Sequence, residues 1–157
     1  MFRKGVSLLI INQNQEFLIV NLESFETRFF VIPGGGLDEG ETLEQAAYRE
    51  INEELGIPPT SLELIGTAKN PLQIKFKTKK LVRDGVEYEG SERYFFGFRF
   101  IGDDKEIVPR QGEIRSYQWS PLDNLKNYLL FDNQLEETLE KITEVFPSVK
   151  STNLSNF

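Results

Sequence analysis

The sequence of 157 residues predicts an α/β protein, in which a mixed β-sheet carries helices packed on its faces. Three observations support this fold class. Strand-like runs open the chain, a capped helix follows a run of glycines, and a second β-rich segment precedes a second amphipathic helix. The helices are too few for a doubly wound fold.

The first β-rich segment contains three strand-like runs. Residues 6–11 and 17–22 are largely apolar and flank the polar stretch 12–15, so they predict a hairpin. Residues 28–32 predict a third strand, which would end at Pro33 because the three glycines that follow interrupt the pattern.

The segment after these glycines predicts a helix with both ends marked. Thr42 and Gln45 form a capping-box pattern, so the helix is expected to begin at Leu43. Gly56 suits the left-handed position that follows a helix end. The sequence therefore predicts a helix over residues 43–55.

The next part of the chain predicts a strand and a long hairpin. Residues 62–67 predict the strand. Residues 72–77 alternate between apolar and polar side chains, and Asp84-Gly85 supplies a turn. Residues 93–101 then predict a returning strand with aromatic side chains on one face.

The last third predicts one more short strand, over residues 116–119, and a short helix that begins near Pro121. An amphipathic helix is expected over residues 133–145. No linker or repeat divides the chain, so we expect a single domain over residues 1–147 and a frayed tail over residues 148–157.

Composition excludes several kinds of site. The chain has no cysteine and no histidine, which rules out disulfides, thiolate nucleophiles, imidazole bases and the usual zinc sites. Acid–base chemistry must therefore use carboxylates, lysine, tyrosine or a bound metal. A metal site would be built from oxygen ligands, which suit magnesium, manganese or calcium.

Charge and the amino-terminal segment bear on partners and location. The formal net charge of −7 argues against broad affinity for nucleic acid backbones. The first apolar run is too short to span a membrane and lacks a small-residue cleavage signal. We therefore expect a cytoplasmic protein with no membrane partner, and nothing in the sequence indicates an oligomeric state.

Three glutamates crowd the last turns of the predicted helix, where the helix dipole and their mutual repulsion both oppose them: Glu50, Glu53 and Glu54. On the helical wheel they continue the apolar stripe, which favours an inward-facing site over a solvated charged face. Arg49 could pair with one of them, and a divalent metal could hold all three. Carbonyls of the glycine run, Gly35 among them, could add oxygen ligands.

This segment resembles the Nudix box, the signature of the Nudix hydrolases, written G-x5-E-x7-R-E-U-x-E-E-x-G-U with U aliphatic. Every defined position of the box is matched, by Gly35, Glu41, Arg49, Glu50, Ile51, Glu53, Glu54, Gly56 and Ile57. The resemblance implies an α/β/α sandwich around a mixed sheet. It also implies hydrolysis of a nucleoside diphosphate linked to some other group X.

The resemblance also implies roles for individual residues. In the family, the glutamates that match Glu50, Glu53 and Glu54 bind Mg²⁺ or Mn²⁺. The arginine that matches Arg49 orients carboxylates, and the glutamate that matches Glu41 supports the box. Metal ions bound there would neutralise the diphosphate and lower the pKa of an attacking water.

A carboxylate is expected to take the proton of that water, because the chain has no histidine. Family members differ between a glutamate of the box and one on a distant loop, so Glu53 and Glu113 are both candidates. The pattern of Glu113, Tyr117 and Trp119 is similar to the segment before the last helix of diadenosine tetraphosphate hydrolases. The alternative for Glu113 is a surface residue of a loop.

Other segments bear on the substrate. The start of the chain, with Arg3, and residues 80–98 are similar to bacterial RNA pyrophosphohydrolases and dinucleoside polyphosphate hydrolases. Arg3, Lys75 and Lys77 are candidates for binding a polyphosphate chain, and Tyr94 for stacking on a base. The alternatives are a solvated strand face for the lysines and a core position for the tyrosine.

The leading hypothesis is thus a metal-dependent pyrophosphohydrolase that acts on a nucleotide. A dinucleoside polyphosphate or the triphosphorylated 5′ end of an RNA is the favoured substrate. A second hypothesis is a Nudix-fold module that senses a nucleotide without cleaving it, and a third is an acidic metal buffer. Catalytic turnover distinguishes the first hypothesis from the other two.

Overall fold

The computed structural model describes residues 1–76 and 81–150 of the chain. Its strands are β1 (Phe2–Ile11), β2 (Glu16–Leu22), β3 (Gly34–Gly36), β4 (Leu62–Thr67), β5 (Leu72–Lys75), β6 (Leu81–Arg83), β7 (Val86–Tyr88), β8 (Gly90–Phe100) and β9 (Ile114–Pro121). Its two α-helices are α1 (Leu43–Leu55) and α2 (Gln134–Val145).

One mixed sheet organises the described part of the chain, with the strand order β4-β8-β1-β2-β9. Strands β1 and β8 pair in parallel along almost their whole length, and the other pairs are antiparallel. The short strand β3 pairs with residues 5–7 of β1, and β5 pairs with the first half of β8. β3 and β5 thus flank the amino-terminal ends of the two central strands.

Strand β1 is buried on both faces, because alternate side chains belong to two separate cores. The α1 core lies between the sheet and α1 and includes Leu8, Ile10, Leu18, Phe96, Phe98, Ala47, Ile51 and Leu55. The α2 core lies between the sheet and α2 and includes Leu9, Ile11, Phe17, Ile19, Phe95, Ile142, Val145 and Phe146. A helix covers each face of the sheet, which confirms the predicted α/β/α sandwich.

The predicted limits of the first helix are confirmed at both ends. The side chain of Thr42 accepts a hydrogen bond from the amide of Gln45, whose side chain accepts one from Thr42 in return. Gly56 has a φ of 70°, in the left-handed region that favours glycine. These local signals fix the helix that carries the three glutamates.

The predicted strand over residues 28–32 is wrong. Within this described stretch Val31 makes an isolated bridge to β2, and no strand forms. The carbonyl of Phe29 accepts a hydrogen bond of 2.7 Å from the amide nitrogen of the Asn21 side chain. The Asn21 side chain thus occupies a backbone carbonyl that strand pairing would need. The glycines of β3 pair with β1 instead.

The predicted long hairpin is confirmed, with changed limits. Strand β5 ends at Lys75, and β6 and β7 form a two-stranded ribbon around Asp84 and Gly85 before the chain returns as β8. Lys77 lies outside the described residues, so its predicted place on a strand face stays a prediction. The predicted last strand and last helix are also confirmed, as β9 and α2.

Residues 148–150, the described part of the predicted tail, follow α2. Val149 contacts the α2 core, and its amide donates a hydrogen bond to the carbonyl of Phe146 at 3.0 Å. Residues 151–157 lie outside the described part of the chain. No helix in the described residues has the length and apolar character needed to cross a membrane.

Candidate active site

Arg49 connects most of the polar groups of the site. Its Nε and Nη2 atoms donate hydrogen bonds to the two carboxylate oxygens of Glu41, at 2.6 and 2.9 Å. Its Nη1 atom donates to Glu50 at 2.9 Å and to Glu53 at 3.1 Å. Nη2 also donates to the carbonyl of Gly36 at 2.8 Å, so a single side chain joins α1 to β3.

The two-point contact between Arg49 and Glu41 changes the ionisation of both groups. The hydrogen bond from Arg49 lowers the pKa of the Glu41 carboxyl, and Glu41 raises the pKa of Arg49. Both side chains therefore stay charged in the folded protein. This geometry fits the roles that the Nudix box implies for the two residues.

Glu50 and Glu54 are the buried carboxylates of α1, with 9% and 7% of their surface exposed. The Glu50 carboxyl lies against β3, where a Cβ atom on Gly35 would collide with it. Burial raises the pKa of Glu50, although the hydrogen bond from Arg49 opposes this effect. Burial, together with the charges of Glu50 and Glu113, raises the pKa of Glu54 to about 8.

Glu53 does not face inward with the other two glutamates. Its side chain is 46% exposed and pairs with Arg49, four residues earlier on the same helix. The helical wheel puts Glu53 at the border of the buried stripe, and its side chain lies at the surface beside Arg49. The expectation that all three carboxylates point inward is therefore wrong for this one.

Residues 107–113 form a loop that covers the carboxyl end of α1. The amides of Val108 and Arg110 donate hydrogen bonds to the carbonyls of Leu55 and Glu54, at 2.7 and 2.8 Å. These bonds satisfy carbonyls that a helix end leaves without partners. They also reduce the negative potential that the acidic last turn would otherwise face.

Glu113 lies at the end of this loop and close to the acidic site. Its carboxylate pairs with Arg110 at 3.4 Å and is 47% exposed. Its charge raises the pKa of both Glu50 and Glu54, which shows that the three groups share one electrostatic environment. The catalytic role expected for Glu113 stays a prediction.

The donor set fits a hard divalent cation, although the side chains need to move to bind one. Glu50 and Glu54 provide buried oxygen ligands whose pKa values are raised chiefly by burial and further by neighbouring carboxylates. Across residues 1–76 and 81–150, no group of three or more acidic side chains is already placed to hold an ion.

A cavity of about 1000 Å³ lies on the α2 side of the sheet. It is enclosed by β1, β5 and β8, by the residues before β3 and by the start of α2. Its apolar lining includes Phe29, Ile32, Leu72, Ile74, Phe95 and Phe131, and its polar lining includes Ser7, Ser91, Arg93 and Gln134. The rings of Phe29 and Phe131 are stacked, with centroids 4.7 Å apart.

The three glycines of β3 lie between the cavity side and the acidic side of the sheet. Cβ atoms on Gly34 and Gly36 would overlap the guanidinium groups of Arg93 and Arg3. Gly35 faces the opposite way, toward the Glu50 carboxyl, as described above. Only glycine lets the arginines and the carboxylate approach the two faces of one strand so closely.

The residues expected to bind substrate lie in different parts of the fold. Arg3 lies against β3, and Lys75 is exposed at the rim of the cavity. Tyr94 packs against the α1 core instead, and its hydroxyl donates a hydrogen bond to Glu92. Lys77 lies outside the described residues.

The sequence analysis missed Arg93, Phe29 and Phe131. Arg93 had one available signal, because it is a charged residue directly before a run of aromatic residues that was expected to be buried. The two phenylalanines had no such signal. They belong to separate loops that meet only in the folded chain.

Comparison with known proteins identifies the family. The NUDIX domain family matches residues 1–142. The chain belongs to the Nudix family. Membership confirms the enzyme class that the sequence predicted, a hydrolase acting on phosphoanhydride bonds.

Individual proteins are similar to this chain in sequence or in fold. This Nudix protein is 31% identical to the RNA pyrophosphohydrolase of Pelagibacter ubique, over 91% of this chain and 92% of that protein. Its fold is similar to the C. elegans Ap4A hydrolase in a binary complex, with a TM-score of 0.65 and 17% identity over 98% of this chain and 99% of that one. The E. coli dihydroneopterin triphosphate pyrophosphohydrolase gives a TM-score of 0.68 and 19% identity, over 89% and 96% of the two chains.

Gly35→Ala should weaken metal binding, because the added methyl group would displace the Glu50 carboxyl. We expect the affinity for Mn²⁺, measured by titration calorimetry, to fall about 10- to 100-fold. Gly66→Ala is the matched control, since a Cβ atom there meets only Val145, at 4.0 Å. Unchanged Mn²⁺ affinity in a folded Gly35→Ala variant would show that the position of Glu50 is unimportant for the metal.

The raised pKa of Glu54 predicts how the stability of the metal-free protein depends on pH. The folded state keeps the proton of Glu54 up to a pKa of about 8, whereas the unfolded chain releases it near the ordinary pKa of about 4.3. The unfolded state therefore binds fewer protons within this window. The free energy of unfolding should fall as pH rises from about 5 to about 8.

Glu54→Gln should make this fall smaller, as measured by urea unfolding in the presence of a chelator across the same pH range. Glu44→Gln, an exposed position on the same helix, is the control and should keep the pH profile of the original protein. Parallel profiles for the original protein and Glu54→Gln would contradict the raised pKa of Glu54.

Proposed function

We propose that this Nudix protein is a metal-dependent pyrophosphohydrolase, which cleaves a phosphoanhydride bond in a nucleoside diphosphate linked to another group. The observation that carries the proposal is the buried pair Glu50 and Glu54. Two buried carboxylates at a helix end destabilise the fold unless their charge is compensated, and a bound cation would compensate it. The adjacent cavity has the size of a site for a small molecule.

Glu50 and Glu54, joined by Glu53, would hold Mg²⁺ or Mn²⁺. The bound metal would neutralise phosphate oxygens and lower the pKa of a water molecule. Arg49 contacts both Glu50 and Glu53 through one nitrogen, which links these carboxylates to β3. The chain thus supplies oxygen ligands beside a strand without side chains.

Hydrolysis needs a group that accepts a proton as the water attacks. The water oxygen bonds to phosphorus, the bridging P–O bond breaks, and the leaving phosphate carries away its electron pair while a carboxylate takes the proton. Glu53 and Glu113 are the two candidates for this carboxylate, and both side chains are about half exposed. Each is restrained by an arginine, Glu53 by Arg49 and Glu113 by Arg110.

The favoured substrates are the 5′ end of a triphosphorylated RNA and a dinucleoside polyphosphate. The name of the Pelagibacter ubique relative supports the first. The sequence similarity around Arg3 and residues 80–98 supports both. A base could occupy the apolar part of the cavity, near the stacked rings of Phe29 and Phe131. The expected cytoplasmic location stays a prediction.

A substrate panel tests this proposal. We expect turnover of a 5′-triphosphorylated oligoribonucleotide or of a dinucleoside polyphosphate in the presence of Mg²⁺ or Mn²⁺, followed by release of phosphate or nucleotide. A nucleoside triphosphate and a nucleoside diphosphate sugar complete the panel. Tight nucleotide binding without turnover would favour the non-catalytic sensing module, and metal binding indifferent to nucleotide would favour the metal buffer.

Two variants identify the residue that accepts the proton. Glu53→Gln and Glu113→Gln are compared on the best substrate of the panel, and the variant that removes the base should lower kcat by about 10²- to 10⁴-fold. Glu63→Gln, an exposed glutamate of β4, is the control and should keep the original kcat. Losses of less than tenfold in both variants would exclude both residues as the general base.

A further inference from the structure

Arg93 is a charged residue built into the middle of the sheet. It lies on β8, beside β1, and its side chain points to the α2 side of the sheet, where it lines the cavity together with Ser7. Cβ atoms on Gly5 and Gly34 would overlap its guanidinium nitrogens, so two glycines make the space that it occupies. The fold thus accommodates one large cation next to the cavity.

The described residues give this cation only neutral hydrogen-bond partners. Nε donates to the Ser7 hydroxyl at 3.2 Å, Nη1 donates to the carbonyl of Gly35 at 3.4 Å, and Nη2 donates to the carbonyl of Val6. A guanidinium has five N–H groups, so two remain for another acceptor. No carboxylate within residues 1–76 and 81–150 forms an ion pair with Arg93.

The charge of Arg93 is compensated from a distance. Burial lowers the pKa of the guanidinium, and the carboxylates of Glu54 and Glu50 on the other side of β3 raise it. Because no carboxylate of the described residues pairs with it, Arg93 is a partly buried cation whose remaining N–H groups favour an anion on the cavity side.

The position of Arg93 indicates which anion would fit. The cavity has an apolar part lined by aromatic rings, and Arg93 lies where its wall approaches β3 and the acidic site. A ligand with an apolar, planar group and a phosphate close to it matches both features. A nucleoside 5′-phosphate has this chemistry, because its base can stack and its phosphate can accept two parallel N–H groups.

We propose that Arg93 binds the phosphate next to the nucleoside of the substrate and so sets the distance between the base and the scissile bond. The inference rests on the proposed function, because it assigns one part of the same substrate. It adds a binding residue on the cavity side of β3. Arg93 would contact the part of the substrate that remains a nucleoside monophosphate after cleavage.

A purely structural role for Arg93 is the main alternative. In that case the guanidinium holds the carbonyls of Val6 and Gly35 in place and has no contact with ligand. Loss of Arg93 would then weaken binding of every ligand of the cavity to a similar extent. The two roles therefore differ in whether the effect depends on the phosphate of the ligand.

Binding without metal separates these roles and does not depend on turnover. The full chain, kept in a chelator, is titrated with the four ribonucleoside 5′-monophosphates and with the four matching nucleosides. We expect at least one monophosphate to bind about tenfold or more tightly than its nucleoside, as is usual for hydrogen bonds to a charged group. Equal affinity within every pair, or no binding of any monophosphate, would overturn the proposal.

Variants then assign the difference to Arg93. Arg93→Gln should bring the affinity for the monophosphate down to that of the nucleoside and leave the nucleoside affinity unchanged. Arg93→Lys should retain part of the preference, because it keeps the charge but loses the planar fork. Arg99→Gln is the matched control, since Arg99 lies on the same strand but its side chain is 43% exposed and pairs with Glu63 at 3.5 Å. Equal weakening of both ligands by Arg93→Gln would establish the structural role instead.

A measurement on the original protein covers the case in which Arg93→Gln does not fold. The side-chain Nε–H resonance of Arg93 should shift when a monophosphate is added and should stay in place when the matching nucleoside is added. No shift with a monophosphate that binds would overturn the proposal. The substrate panel stays independent: a preference for monophosphate without turnover supports the subsite and contradicts the enzyme, and turnover without the preference does the reverse.

Discussion

The active site of this Nudix protein depends on one guanidinium group, that of Arg49. It binds Glu41 through two nitrogens, holds Glu50 and Glu53 through the third, and contacts the carbonyl of Gly36. These partners come from the loop, the helix and the short strand of the Nudix box. A lysine could not replace it, because an ammonium group lacks the planar fork that reaches several acceptors in fixed directions.

The other charged groups of the site lie near groups of opposite charge, and few of them form direct ion pairs. Glu50 and Glu54 are buried beside β3, and Arg93 lies on the other side of the same strand. Backbone amides of the loop over residues 107–113 cover the carboxyl end of α1. Negative and positive groups therefore lie on opposite faces of β3, and the three glycines of this strand separate them.

The sequence predicted what depends on local chemistry. The limits of α1 followed from Thr42, Gln45 and Gly56, and the two-residue period of the strands predicted most of the sheet. Features that depend on distant residues were missed or misplaced. The side chain of Asn21 takes a carbonyl of the expected third strand, and Arg93 reaches β3 only because β8 pairs with β1. The Glu53 side chain lies at the surface beside Arg49, and a helical wheel does not describe such contacts between side chains.

The parallel pairing of β1 with β8 has a consequence for how the protein folds. Residues 2–11 pair with residues 90–99, so the centre of the sheet joins two distant parts of the chain. Contacts of such long range close late, because a long loop must be ordered before they form. The hairpin of β1 and β2 and the capped helix α1 can form early from local contacts. The wall of the cavity forms only after β8 has paired with β1. A chain emerging from the ribosome would thus carry its complete Nudix box well before it has a place for a nucleotide.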